Sequence, residues 1–509
     1  MRKAGLLMPV SALPSDYGVG DFGKGSREFI DIMKECGLHI WQILPLNPLG
    51  YGNSPYQPYS SFAGDEIYLD LDILMEEGLL NRKPAPFRRE EARVDYEKVR
   101  AYKRKYLWEA FQNFSPNSEY EIFKTQEWVY PYAVFLTLKR QNGMKCWNEW
   151  KEEHKNWIKD QAFDISIYEA EICFEMFVQY VFYRQWKALK HYANVNKIEI
   201  MGDIPFYVGL DSLDVWMNQD EFLLGADGKP TFIAGVPPDY FSKDGQRWGN
   251  PIYDWERMKE NGFVFWRKRF GYNARLFDII RIDHFRAFDT YWKIPASSPT
   301  AREGEWIEAP GYALLDVLLK DNPDVRIVAE DLGDMRPQVY ELRDAYHLPG
   351  MKIIQFTFDP MEHNNLFEDR ENMIVYTGTH DNETIKGWFQ GQPRKVRLAT
   401  ERELYAWGYE EDSLVKNFIC YTLDNKADTA ILPVQDVLEL DNAGRMNTPG
   451  TLGTPNWEWR LVSLDGLMNK KAFIRKALAK SGRVEGGKMP VRKRRRPDCK
   501  EDKKEYNIP

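Results

Sequence analysis

Eight short, uninterrupted apolar runs, separated mostly by helical stretches, constrain this 509-residue chain more than any other feature. They are residues 4–10 (AGLLMPV), 38–44 (LHIWQIL), 197–203 (KIEIMGD), 277–283 (FDIIRID), 325–330 (VRIVAE), 351–356 (MKIIQF), 373–378 (NMIVYT) and 428–433 (DTAILP). Continuous rather than alternating apolar runs are what a parallel sheet covered on both faces requires. Strand–helix alternation gives an α/β class, and the count of eight favours a closed (β/α)8 TIM barrel.

The spacing is uneven. Residues 89–190 read mostly as amphipathic helices, for example EIFKTQEWVYPYAVFLTLKR, so a mostly helical insertion is expected after the second strand, at about 64–163. The barrel's own crossover helix follows near 166–195. Residues 204–265 are rich in Gly, Pro, Asp and aromatics (GVPPDYFSKDGQRWGNPIYDW) and read as loops covering a substrate. The catalytic barrel is thus expected over 1–480. The charged stretch 481–509 reads as a flexible, solvated tail, its basic run Arg492–Arg496 included.

Composition narrows the function. Lys plus Arg number 69 against 77 Asp plus Glu, a net charge of −8, which argues against a dedicated nucleic-acid binder. Five cysteines without a C-x-x-C pair point to a reducing compartment and no thiolate metal site. No apolar run reaches the roughly 18 residues of a membrane helix, and prolines 9 and 14 interrupt the N-terminal apolar stretch, so a cytoplasmic protein is expected. Aromatics make up 14% of the chain, enough for a large core and for flat stacking platforms alike.

Gly18–Gly23 matches G-x-G-x-x-G, but residues 11–16 separate it from the strand and no carboxylate ends the next one. A turn-rich βα loop explains it better than a dinucleotide site.

The acidic residues at strand ends carry more. Asp203, Asp283 and Glu330 end the third, fourth and fifth runs, and Asp381 follows the seventh. Barrel enzymes place their chemistry at these carboxyl ends. Helix capping explains any single aspartate as well. It does not explain why Arg281 shares a strand face with Asp283, with His284 next to it, nor why His380 adjoins Asp381. A carboxylate held ionised by arginine and a second carboxyl kept protonated suit glycosidic bond cleavage. Divalent-metal binding is a competitor, but no H-E-x-x-H or EF-hand spacing occurs and no metal is expected.

Several long stretches, in order, resemble the 4-α-glucanotransferases (amylomaltase or disproportionating enzyme, glycoside hydrolase family 77) of the α-amylase clan. They include SALPSDYGVGDFG, WQILPLNPLGYGNSPYQPYSSFAGD, GDIPFYV, GVPPDYFSKDGQRWGNPIYDW, IRIDHFRAFD, AEDLG, YTGTHDN and MNTPGT, within residues 5–460. The resemblance implies a barrel with inserted subdomains, a retaining mechanism and no cofactor. It implies Asp283 as nucleophile, Glu330 as general acid/base and Asp381 as the transition-state-stabilising carboxylate. Arg281, His284, His380 and Asp203 match supporting positions around the cleaved sugar, and Tyr56 an aromatic stacking position. Asp239, Gln246 and Trp248 fall in the covering loop, and Phe356 on the acceptor side. The implied substrates are maltooligosaccharides and starch- or glycogen-derived α-1,4-glucans. Ala309 stands where glycine is expected and Glu383 where aspartate is frequent; the tail has no counterpart. An α-amylase-type hydrolase and a non-catalytic glucan-binding protein are the alternatives.

Overall fold

The computed structural model describes residues 2–238, 243–363 and 369–495. Twelve strands are present there: β1 Lys3–Leu7, β2 Ile40–Gln42, β3 Glu199–Ile204, β4 Phe232–Val236, β5 Gln246–Pro251, β6 Ile279–Ile282, β7 Thr290–Pro295, β8 Glu305–Glu308, β9 Arg326–Ala329, β10 Gly350–Ile353, β11 Met373–Tyr376 and β12 Thr429–Pro433. Eight of them fall on or within a residue of the eight apolar runs, and pair in parallel in the order β10-β11-β12-β1-β2-β3-β6-β9. The Ala329 N–H donates to the Pro349 carbonyl at 2.9 Å, joining the two ends of that order. The chain is a (β/α)8 barrel.

Alternation along the strands sorts side chains to two sides. Leu7, Ile40, Met201, Ile279, Val328, Met351, Ile353, Ile374, Tyr376 and Ile431 fill the barrel interior. Their neighbours, such as Leu6, Trp41, Ile200, Ile280 and Val375, join the larger core under the helices. Gly202 marks a close approach on that outer side, where a Cβ would lie 2.3 Å from the Phe277 ring.

Between β2 and β3 the chain is mostly helical, including Tyr96–Asn113, Val129–Gln141 and the 27-residue helix Glu169–Val195. Residues 204–265 differ from the expected loops. They contribute β4 and β5 to an antiparallel sheet ordered β5-β4-β7-β8. Glycine and proline in FIAGV and QRWGNP hide strands that are only partly buried on either side.

The start of the charged stretch 481–509 is packed against the barrel rather than solvated. Ser481 and Arg483 are buried, and the Arg483 guanidinium donates to the carbonyls of Lys3, Leu423, Asn425, Ala427 and Asp428. A charge-rich stretch reads as solvated until its acceptors, distant in sequence, are brought to it. Among the described residues no helix is long and apolar enough to cross a membrane.

Candidate active site

The site starts from strand register. Asp203 on β3 is paired with Arg281 on β6, and Arg281 with Val328 on β9. Two residues further the same register sets Asp283 beside Glu330, with the Glu330 N–H donating to the Ile282 carbonyl at 3.1 Å and the Phe285 N–H to the Glu330 carbonyl at 3.0 Å. Arg281 thus points into the barrel between acidic neighbours on both sides. Its Nη1 stands 2.8 Å from both oxygens of buried Asp203 and 2.9 Å from Asp283 Oδ1. Asp283 itself is 30% exposed, so it is anchored on one side and reachable on the other.

His284 follows in a left-handed conformation (φ 54°), which costs a non-glycine residue about 1 kcal/mol or more. The turn aims its backbone N–H at Glu330 Oε2, 2.7 Å away, while the Leu332 N–H donates to Oε1 at 3.1 Å. Burial is the largest influence on Glu330. Together with the Asp283 charge it outweighs Arg281 and the two amides, and the pKa rises to about 7. Burial also pulls the His284 imidazole down to about 4.

Asp381 arrives on the connection after β11. The Thr377 hydroxyl donates to Asp436 Oδ2 at 2.5 Å and the Ile385 N–H to Asp436 Oδ1 at 2.8 Å, pinning both ends of that connection. Within it Asn382 Oδ1 accepts from the Thr379 N–H and hydroxyl. Burial pushes the Asp381 carboxyl up, but His380 Nε2 at 3.3 Å and the Asn447 amide, donating at 2.6 Å, prevail and hold it at about 2. The same ion pair raises His380 against the effect of its burial. Asp381 interacts electrostatically with Arg281, as do Asp283 and Glu330, so the three carboxyl groups share one field.

Tyr56 closes the group. Its hydroxyl donates to Asp203 Oδ2 at 2.7 Å and its ring stacks on His380 at 5.1 Å. Trp248 on β5 meets the His284 ring edge-on at 4.8 Å, its indole N–H donating to Gln246 Oε1 at 3.2 Å and its carbonyl accepting from Gln57 Nε2 at 2.8 Å. Phe356 stands apart from these contacts, 62% exposed in the short helix Ile354–Thr357 after β10. Asp239 lies outside the described residues.

Of the two departures, Glu383 Oε1 accepts from the Asn442 amide at 2.6 Å, and the Ala309 N–H donates to the Asp289 carbonyl at 2.8 Å. Neither pairs with the three carboxylates.

Sequence reasoning missed Asn447, Arg445 and Trp457. The Arg445 guanidinium donates to the Asp381 and Asn447 carbonyls, each at 2.7 Å, and Trp457 lies 5.8 Å from the Tyr56 ring. The stretch MNTPGT was the available signal, though nothing in it says that Asn447 reaches back 66 residues to Asp381.

Residues 8–465 match the family model described as 4-alpha-glucanotransferase. The chain is 41% identical over 491 residues to the 4-alpha-glucanotransferase of Aquifex aeolicus (strain VF5), spanning 95% of this chain and 100% of that one. It is 41% identical over 483 residues to that of Thermus thermophilus, spanning 91% and 95%. The structure of the Streptococcus agalactiae amylomaltase in complex with acarbose is similar at a TM-score of 0.87, with 35% identity, 94% of this chain and 99% of that one. The chain belongs to the 4-alpha-glucanotransferase family, glycosyltransferases that act on α-1,4-glucans.

Proposed function

We propose that this chain moves a segment of an α-1,4-glucan to the 4-hydroxyl of an acceptor sugar by retaining double displacement, with Asp283 as nucleophile and Glu330 as general acid/base. The Asp283 carboxylate attacks the anomeric carbon while Glu330 gives its proton to the leaving glycosidic oxygen. Glu330 then takes the proton of the incoming 4-hydroxyl as that oxygen displaces Asp283. Two inversions give net retention. One observation carries the reading: Asp283 contacts the Arg281 guanidinium at 2.9 Å, whereas adjacent Glu330 has its pKa raised to about 7. A carboxylate anchored on a guanidinium suits the nucleophile, and a neighbouring carboxyl with raised proton affinity suits the acid. Asp381, held ionised at about 2, then stabilises the positive charge of the transition state.

Transfer outcompetes hydrolysis where the acceptor is held better than water. A bound hydroxyl reaches effective molarities on the order of 10⁵ M, against roughly 55 M water. The exposed Phe356 ring is the acceptor-side surface in this reading, and Trp248 beside His284 belongs to the cover that excludes water. Maltooligosaccharides and glucans derived from starch or glycogen are the substrates, met in the cytoplasm.

Maltotriose alone tests the proposal. A ladder of longer maltodextrins with glucose is expected, and Asp283→Asn abolishes it. Accumulation of short sugars with rising reducing ends would point instead to a hydrolase.

A further inference from the structure

The basic run Arg492–Arg496 has no part in the proposed reaction, yet three of its arginines are paired. Arg492 pairs with buried Asp424 and lies over the Tyr409 ring at 4.5 Å. Arg495 pairs with Glu410, lies over the Tyr405 ring at 5.3 Å, and its backbone N–H donates to the Ala406 carbonyl at 2.7 Å. Between them Arg494 reaches Glu403 on the helix Arg394–Ala406, with Nη2 3.0 Å from Oε2 and Nε 3.2 Å from Oε1. Glu403 is only 2% exposed, and the Trp407 indole N–H donates to its Oε1 at 2.8 Å.

A third group meets the same carboxylate. His363 Nδ1 lies 2.9 Å from Glu403 Oε2 and 3.1 Å from Arg494 Nη2. His363 belongs neither to the tail nor to that helix but to the passage from β10 to β11. Among the described residues, that passage contains only the four-residue helix Ile354–Thr357, whereas the passage from β9 to β10 holds the nine-residue helix Pro337–Ala345. Backbone with so little helix of its own is held from outside. Gln355 donates to the Glu383 carbonyl at 2.7 Å, Phe358 packs on Phe418 and Tyr421, and His363 closes the series at Glu403. Phe356, with its exposed ring, lies in the chain between the anchors Gln355 and Phe358.

We propose that Arg494 is a positioning residue: through Glu403 and His363 the C-terminal tail steadies the passage after β10 and keeps Phe356 placed for the acceptor glucan. The proposal rests on the reading that Phe356 lines the acceptor side. Arginine suits the task because its planar fork donates from two nitrogens to one carboxylate, where lysine offers a single nitrogen.

The full-length protein is compared with a chain ending at Gly487, which keeps the buried Arg483, and with Arg494→Ala, Arg494→Lys and His363→Ala. Amide exchange over residues 354–363 is expected to quicken about tenfold in the truncated chain and in Arg494→Ala. With maltotriose as donor and glucose as varied acceptor, the acceptor KM rises about 3- to 10-fold while kcat changes less than twofold, Arg494→Lys falls between, and the Arg494→Ala/His363→Ala pair is no worse than either alone. Should the truncated chain fail to fold, Arg494→Ala carries the same readouts. Unchanged exchange, or an acceptor KM within about twofold of the parent in Arg494→Ala, overturns the proposal. An active Asp283→Asn would instead overturn the reaction assignment, leaving the exchange result to stand separately.

Discussion

Asp203 and Arg281 face each other in register across β3 and β6, both carboxylate oxygens lying 2.8 Å from one guanidinium nitrogen. The pair is buried, and its arginine is shared with Asp283. Asp203 is therefore the support that fixes the guanidinium holding Asp283, the proposed nucleophile. A buried ion pair of this kind brings more to orientation than to net stability.

Arg281→Met tests that relationship. It leaves buried Asp203 with the Tyr56 hydroxyl and no hydrogen-bonded cation, a loss of about 3–5 kcal/mol for breaking a buried pair from one side. Thermal melts are expected to show a large drop, and adding Asp203→Asn recovers part of it. Activity recovers in neither variant, because Asp283 has lost its anchor in both.

As the proposed general acid, Glu330 is expected to set the alkaline side of the pH profile. The general acid must carry its proton in the free enzyme, and that proton leaves as pH rises through about 7. A plot of kcat/KM against pH should therefore fall above about 7. Glu330→Gln removes this limb, and a glycosyl fluoride donor, whose leaving group needs no protonation, restores the first half-reaction far better than maltotriose does.

Asn447 governs the acidic side. Its amide hydrogen-bonds the ionised form of Asp381, so removing it raises the Asp381 pKa from about 2 and moves the acid limb of kcat/KM to higher pH. A hydrogen bond to a charged group is worth about 1.5–3 kcal/mol, so Asn447→Ala should lower the melting temperature and cost up to about 10- to 100-fold in kcat/KM at neutral pH. An unmoved acid limb would remove Asn447 from the site.

Arg483 secures the barrel where its first and last strands meet. It donates to five carbonyls, those of Lys3 beginning β1 and of Asp428 preceding β12 among them. Arg483→Met takes a donor from all five; Leu423 and Asn425 keep Arg2 and Asp428 keeps the Lys3 N–H, so the cost is about 1–3 kcal/mol for each other carbonyl left unsatisfied. Denaturation should begin at lower temperature, while kcat/KM measured well below the transition stays near that of the parent.

Much of the fold is legible in the chain because a parallel strand buried on both faces must be apolar throughout. FDIIRID contains β6, and the break in its apolar pattern at Arg281 and Asp283 marks where the inner face turns from core to chemistry. The antiparallel sheet is not legible in this way. Its strands are partly exposed, glycine interrupts β4 and β5, and β7 and β8 lie beyond the segment that supplies β4 and β5. The tail misleads for a related reason: the carboxylates that match Arg492 and Arg494 are 68 and 91 residues away.

By itself the sequence determined that eight buried strands alternate with helices and that Asp203, Asp283, Glu330 and Asp381 stand at or just beyond strand carboxyl ends. Both properties are local, resting on hydrophobic pattern and on position along the chain. Only the tertiary structure decided that Arg281 lies between Asp203 and Asp283, that Glu330 titrates near 7 while Asp381 does so near 2, and that Asn447 and the tail join from far downstream. Proton affinity depends on burial and on charges a few ångströms away, and neither exists until strands from distant parts of the chain are set in register.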